Sequence, residues 1–330
     1  MADSLHPGNG HERRSGAAQP GAAMPANRAS AINQAVAFFT HLFDDEIERR
    51  YLKLRADLAG LAEVFIFSQG GSRIPDRYRD RTYFFDYDAI RSKAARVIGD
   101  QLLPGNVHLV ELDFYKNHPG FDYYWFIEFD VEFSGDWATL FRAVRDDRAD
   151  LLAAHVRGFH EEPRWPWWET LDLPGCTLPR AEWVRAFFPV YRISSAGFRA
   201  IDKCVRLGWT GHFEGLVPCA IRSESLSISD LGGAGQWTPR ERRHRFYSSL
   251  SYDGGGTLAA GTLRHRPPQG RLRLRPDTIF HPVKAAPPLN RGGGVVRYVK
   301  DLGHAAIRCV ASLHFNWLHF WTGLGTRETR

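Results

Sequence analysis

The chain predicts an α/β layered fold, and three observations predict it. Near the N-terminus a strand-like run, a helical stretch and a second strand-like run follow one another. The alternation continues to about residue 155, around a nearly unbroken apolar segment over residues 123–131 that reads as a central strand. The length, 330 residues of which 43% are hydrophobic and 13% aromatic, supplies a core for one large domain or two closely packed ones.

Residues 1–30 come first. Ala, Gly and Pro fill 14 of these 30 positions and no aromatic residue is present, so the segment cannot offset the entropy of ordering and reads as a disordered leader. Residues 34–40 form the apolar run of a buried strand. Phe43, Ile47, Tyr51, Leu54, Leu58 and Leu61 then keep the i+3/i+4 spacing of an amphipathic helix. Residues 64–67 are the next strand, closed by Ser68-Gln69-Gly70-Gly71. Such a unit makes a parallel pair with a right-handed crossover, and its ligands lie beyond the carboxyl ends of the strands. Those ends carry Thr40-His41 and Ser68-Gln69, which makes His41 a candidate ligand contact.

Asp86 and Asp88, in Tyr83-Phe84-Phe85-Asp86-Tyr87-Asp88, fit an alternating edge strand or turn, with contact to a nucleotide base or ribose as the functional alternative. A helix is expected over residues 107–116, then a turn at His118-Pro119-Gly120 and the central strand. Gly135-Asp136-Trp137 opens a helix to Val144, and residues 150–155 give a further strand. Pro163, Pro166, Pro174 and Pro179 keep Trp165, Trp167 and Trp168 on a loop. There the flat indole faces suit a sugar ring, while packing into a core is the commoner fate of tryptophan. Residues 187–193 are a strand, Ser195 caps a helix to Leu207, and Gly208 ends it. Gly211-His212-Phe213-Glu214 opens a helix interrupted by Pro218. Arg271-Leu272-Arg273-Leu274-Arg275 alternates like a strand, and residues 304–321 hold apolar side chains near helical spacing. That last segment docks on the domain, with a membrane surface as the alternative.

Composition excludes several classes. Lys+Arg 43 against Asp+Glu 37 gives +6, spread thinly, so no basic arm points to nucleic acid. Cys176, Cys204, Cys219 and Cys309 stand far apart without a C-x-x-C, which indicates neither a zinc cage nor a disulfide scaffold. No apolar run approaches 18 residues and no secretory h-region is present, so a soluble, cytoplasmic protein is expected. Gly254-Gly255-Gly256 and Gly292-Gly293-Gly294 lack the Lys-Ser/Thr of a phosphate-cradling loop.

The chemistry centres on Glu128 and Asp130. Two residues apart on one strand, they share a face and can hold a divalent ion between them. Surrounded by Trp125, Phe126, Ile127, Phe129 and Val131, they would be poorly solvated without a partner. The alternative is a solvated strand end where Arg or backbone N–H groups meet the acids. Strand, helix, strand, then an acidic pair closing a central strand resembles the nucleotide-diphospho-sugar transferases of the GT-A fold. The run YYWFIEFDVEFSGDW, the later DLLAAH and the WPWW loop resemble a bacterial and fungal branch of that superfamily, most strongly over residues 123–168 within 34–284.

The resemblance implies a GT-A-like, Rossmann-like central mixed sheet flanked by helices, with an irregular C-terminal extension. It implies a nucleotide-sugar-binding half over 31–160, an acceptor-binding half over 161–290 and a helical extension over 291–330. Glu128-Phe129-Asp130 matches the D-x-D-type motif that binds a divalent metal, Mn²⁺ or Mg²⁺, bridging the donor diphosphate, with Glu where the family usually has Asp. Glu214 matches the position of the catalytic base of inverting members, although a helix N-terminal carboxylate needs no such role. His281, in Phe280-His281-Pro282-Val283-Lys284, matches a late His that completes the metal shell, and Lys284 would neutralise phosphate. The implied activity is glycosyl transfer from a nucleotide-diphospho-sugar to a carbohydrate, lipid-linked or small-molecule acceptor. A metal-dependent phosphoesterase and a non-catalytic carbohydrate-binding protein are the alternatives.

Overall fold

The computed structural model describes residues 32–250, 258, 261–264 and 276–283. The expected leader over 1–30, both glycine triplets, the strand over 271–275, Lys284 and the stretch 304–321 lie outside the described residues.

Strand β1 (Gln34–Phe39), helix α1 (Asp45–Asp57) and strand β2 (Glu63–Gln69) follow the expected order, and the two strands pair in parallel. α1 begins where it does because the Asp44 carboxylate accepts the Ile47 N–H at 2.9 Å, and Asp45, Glu46 and Glu48 lie at its positive end. Edge strand β3 (Thr82–Phe85) runs into the short α2 (Tyr87–Arg91), then α3 (Val107–Asn117) leads to β4 (Tyr123–Glu128). After β5 (Glu132–Phe133) come α4 (Trp137–Ala143), β6 (Leu151–Gly158) and β7 (Val184–Ser194). Helices α5 (Ser195–Arg206) and α6 (Phe213–Ser223), β8 (Ile228–Asp230) and β9 (Ile279–Phe280) complete the described elements.

Seven strands form one mixed sheet in the order β3-β2-β1-β4-β7-β6-β8, in which only β7 runs against the others. This is the expected α/β architecture, a central mixed sheet flanked by helices. Alternation along β4 feeds both faces: Trp125 and Ile127 pack with α1 and α4, while Tyr124 and Phe126 pack with α3, α5 and α6. Pro189 is tolerated inside β7 because the ladder to β6 slips around it, from Leu152↔Arg192 to Ala154↔Phe187. No helix among the described residues is long and apolar enough to cross a membrane.

Two local expectations are corrected. β4 ends at Glu128 rather than continuing to Val131, because the Val131 N–H turns back to the Glu128 carbonyl at 3.0 Å. Glu128 and Asp130 therefore do not share a strand face, and a turn sets their geometry. The cap of α5 is Ser194, whose hydroxyl accepts the Gly197 N–H at 2.9 Å; the Ser195 hydroxyl is turned to the Phe121 carbonyl instead. Gly208, at φ +83°, closes that helix as expected.

Candidate active site

From β1 the chain crosses to β2 on one side, while β4 pairs with β1 on the other, so the sheet order reverses between β1 and β4. At such a point the loops leave in opposite directions and open a crevice beyond the carboxyl ends of the strands. A cleft of about 630 Å³ lies there. Phe39, Thr40 and His41 follow β1 along it, Gln69 and Phe85 end β2 and β3, and Glu128, Phe129 and Asp130 end β4. Tyr87, Asp88 and residues 100–103 form the far wall. Among the described residues this lining carries four acids, Asp88, Asp100, Glu128 and Asp130, and no lysine or arginine.

Glu128, Asp130 and His281 meet at the β4 end of the cleft, each offering one ligand atom, all within 4.8 Å of one another. His281 Nε2 lies 2.9 Å from Glu128 Oε2 and 3.4 Å from Asp130 Oδ1. His281 is 151 positions beyond Asp130, and the β5–β9 pair delivers it: Glu132 registers with Phe280, and the Val283 N–H donates to the Asp130 carbonyl at 2.6 Å. Burial opposes charge on His281, but hydrogen bonds to Asp130 and Glu128 outweigh it and hold the imidazolium up to about 10. Two carboxylate oxygens and one imidazole nitrogen are a donor set for Mn²⁺ or Mg²⁺, and a cation entering here replaces the proton on His281. The residues present fit such an ion.

Glu214 sits in the first turn of α6 and is buried. Burial pushes its carboxyl up to about 7; the Arg185 guanidinium works against this, and the charge of Glu128 adds to it. His212 caps the same helix, its Nδ1 accepting the Glu214 N–H at 3.3 Å, and its ring stacks on Trp167 at 4.6 Å. Burial, then the nearby Arg185, lowers His212 to about 3, consistent with a neutral ring that accepts. Arg185 lies under Trp165, 4.9 Å from the ring centre, and pairs with Glu162 at 3.2 Å. Glu162 also accepts from His155 Nε2 at 2.7 Å; burial resists its charge, yet His155 and Arg185 hold it down to about 2.

Other expectations divide. His41 lines the cleft, its ring edge-on to Phe129 at 4.7 Å. Asp88 lines it as well, whereas Asp86 does not: its carboxylate caps α2 by accepting the Ala89 N–H at 3.1 Å. Trp165 and Trp168 are core side chains rather than a sugar platform, with the Trp168 indole N–H donating to the Glu162 carbonyl at 2.8 Å. Trp167 alone of the three is half-exposed.

Sequence reasoning missed Arg185, Glu162, His108 and Glu111. The last two were the most legible, being a polar pair three apart on the face where Val107, Val110 and Phe114 are buried in α3.

No family model matches the chain, and no curated protein does. Among solved structures, 144 chains match. Mouse xyloside xylosyltransferase 1, in its apo form, is 13% identical, with 61% of this chain and 85% of that one covered at a TM-score of 0.33. The inositol-1-phosphate CTP transferase from T. maritima is 9% identical over 65% of this chain and 93% of that one, at 0.33. The galactosyltransferase LgtC, in complex with donor and acceptor sugar analogs, is 10% identical over 83% and 96%, at 0.37. By name these are transferases, and at this overlap they carry no argument about this chain.

Proposed function

We propose that this chain transfers a sugar from a nucleotide-diphospho-sugar to an acceptor hydroxyl, with inversion at the anomeric carbon. The observation that carries the reading is the meeting of Glu128, Asp130 and His281 at the head of a 630 Å³ cleft where the sheet order reverses. A lining with four acids and no described lysine or arginine repels a diphosphate unless a cation accompanies it. A bound Mn²⁺ or Mg²⁺ supplies positive charge to the departing diphosphate.

The chain's own residues do the rest. Glu128, Asp130 and His281 orient the pyrophosphate end of the donor, with Lys284 as a further neutralising group. The nucleoside extends along His41, Gln69 and Asp88. Glu214 takes the proton of the acceptor hydroxyl as its oxygen bonds to the anomeric carbon, and the bond to the diphosphate oxygen breaks with its electron pair. A carboxyl raised to about 7 by burial suits a base at neutral pH. Attack from the face opposite the leaving group gives inversion.

The test is incubation of the purified chain with a panel of nucleotide-diphospho-sugars and Mn²⁺, following nucleotide release. Release is expected with at least one donor, and is expected to vanish in Asp130→Ala. Silence with every donor, or pyrophosphate release from a nucleoside triphosphate and a sugar phosphate, would overturn the reading.

A further inference from the structure

Of the three tryptophans on the proline-rich loop, Trp167 is the one the core leaves half-exposed, and the turn Pro166–Thr170 sets it beside α6. The Thr170 hydroxyl donates to the Trp167 carbonyl at 2.7 Å and accepts the His212 N–H at 3.0 Å, so one side chain ties this turn to the cap of α6. The backbones of Asp172 and Thr210 exchange two further hydrogen bonds, at 2.9 and 3.0 Å. On this frame the indole stacks on the His212 ring, the centres 4.6 Å apart and the planes 28° from parallel. His212 Nδ1 in turn lies 4.0 Å from a carboxylate oxygen of Glu214.

Strand register puts this assembly beside the cation cluster. β4 and β7 pair with Ile127 opposite Val190, so Glu128, the next residue, runs toward Pro189 and Phe188. The Phe187 ring lies 5.3 Å from that of His281, and the Phe188 ring 5.4 Å from that of Phe213, which stands between His212 and Glu214 in the chain. Consecutive residues of one strand thus touch both halves of the candidate site.

The groups gathered here suit a carbohydrate. Because His212 Nδ1 accepts the Glu214 N–H, the ring proton sits on Nε2, and among the described residues nothing accepts from that nitrogen. The residue is 6% exposed, and a donor at that depth is costly without an acceptor. The Trp167 indole N–H likewise donates to no described residue. A sugar offers what these groups lack: hydroxyl oxygens that accept, and a C–H face that packs on a flat aromatic ring. A lipid chain needs a broad apolar surface instead. The large apolar side chains exposed among the described residues are Leu52, Phe84, Leu103 and Leu207, none of them on the turn or on α6.

Only one face of Trp167 is free to take a ring. His212 covers the face toward α6, so a sugar stacked on the other face stands a full ring beyond His212, out of reach of Glu214 for proton transfer. It is therefore a neighbour of the unit that reacts. We propose that Trp167 binds the second sugar of the acceptor, and that the acceptor is an oligosaccharide whose reacting unit meets His212 Nε2–H and Glu214. The inference rests on the glycosyl-transfer reading above and names the acceptor class for it.

Calorimetric titration in Mn²⁺ with UDP or GDP tests it, setting methyl glycosides of glucose, N-acetylglucosamine, mannose and xylose against their oligomers of two to four units. At least one oligomer should bind tenfold or more tighter than its methyl monosaccharide. Trp167→Ala should erase that advantage while methyl glycoside and nucleotide bind as in wild type, which shows that the variant folds. Trp167→Tyr, which keeps a flat face, should retain most of the advantage. With the nucleotide-sugar added, the bound oligomer should gain one sugar by mass, and Trp167→Ala should raise its KM while kcat holds. Equal losses toward methyl glycosides and oligomers, an undiminished advantage in Trp167→Ala, or no oligomer bound by wild type overturns the inference, while nucleotide release from the donor still stands. An oligomer held through Trp167 that never gains a sugar, with no donor releasing nucleotide, takes down the transfer reading and the acceptor role with it, and leaves a glycan-binding residue.

Discussion

At the scale of the residue, Glu214 has the clearest consequence. Its carboxyl is raised by burial, so below about pH 7 it is protonated and cannot take a proton from the acceptor. Transfer should therefore rise as pH passes through about 7, the limb belonging to the ionised base. Glu214→Gln should remove that limb and lower kcat by about 10²–10⁴, the usual size of a general-base contribution, while donor affinity stays near wild type. A pH–rate profile alongside donor titration measures both; equal losses in kcat and in donor binding would mean that the side chain holds structure instead. Glu128 and Asp130 were legible because carboxylates in apolar company need a reason to be there, whereas Glu214 stood out only through the family resemblance. Trp165 and Trp168 pack into the core, the commoner fate of tryptophan, but composition could not say which indoles of a proline-rich loop turn inward and which, like Trp167, stay half-exposed.

Among the elements, α5 shows how packing overrides propensity. Exchanging a helix glycine for alanine ordinarily gains up to about 1 kcal/mol. At Gly197, however, a Cβ would stand 2.8 Å from Ile193 Cγ2 and 2.9 Å from Ile221 Cδ1, in contact with β7 below and α6 beside it. Overpacking of that kind costs about 1–3 kcal/mol, so it decides the sign. Gly197→Ala should lower the midpoint of urea unfolding, and an unchanged or higher midpoint would show that α5 can slide on its neighbours. Strand and helix identities were readable from period and length. The ends were not: β4 stops at Glu128 because a turn hydrogen bond competes with the ladder, and the reversed direction of β7 leaves no trace in its pattern.

For the whole molecule, a cation bound by three groups from two distant segments couples metal binding to global stability. Mn²⁺ at about 100 times its Kd should add about 2.7 kcal/mol, seen as a rise in Tm that EDTA reverses. The rise should be absent in His281→Gln, where the segment after β9 no longer contributes a ligand. A full shift in that variant would place the ion elsewhere. The sequence by itself determined the α/β class, the order of most elements and the identity of the acids, because hydrophobic period and misplaced charge are local properties. Only the tertiary structure decided that His281 stands against Glu128 and Asp130, that the cleft opens between β1 and β4, and that Glu214 is buried. Those facts depend on which strands pair and in which direction, and pairing is settled by contacts between residues as far apart as Glu132 and Phe280, to which no local pattern is sensitive.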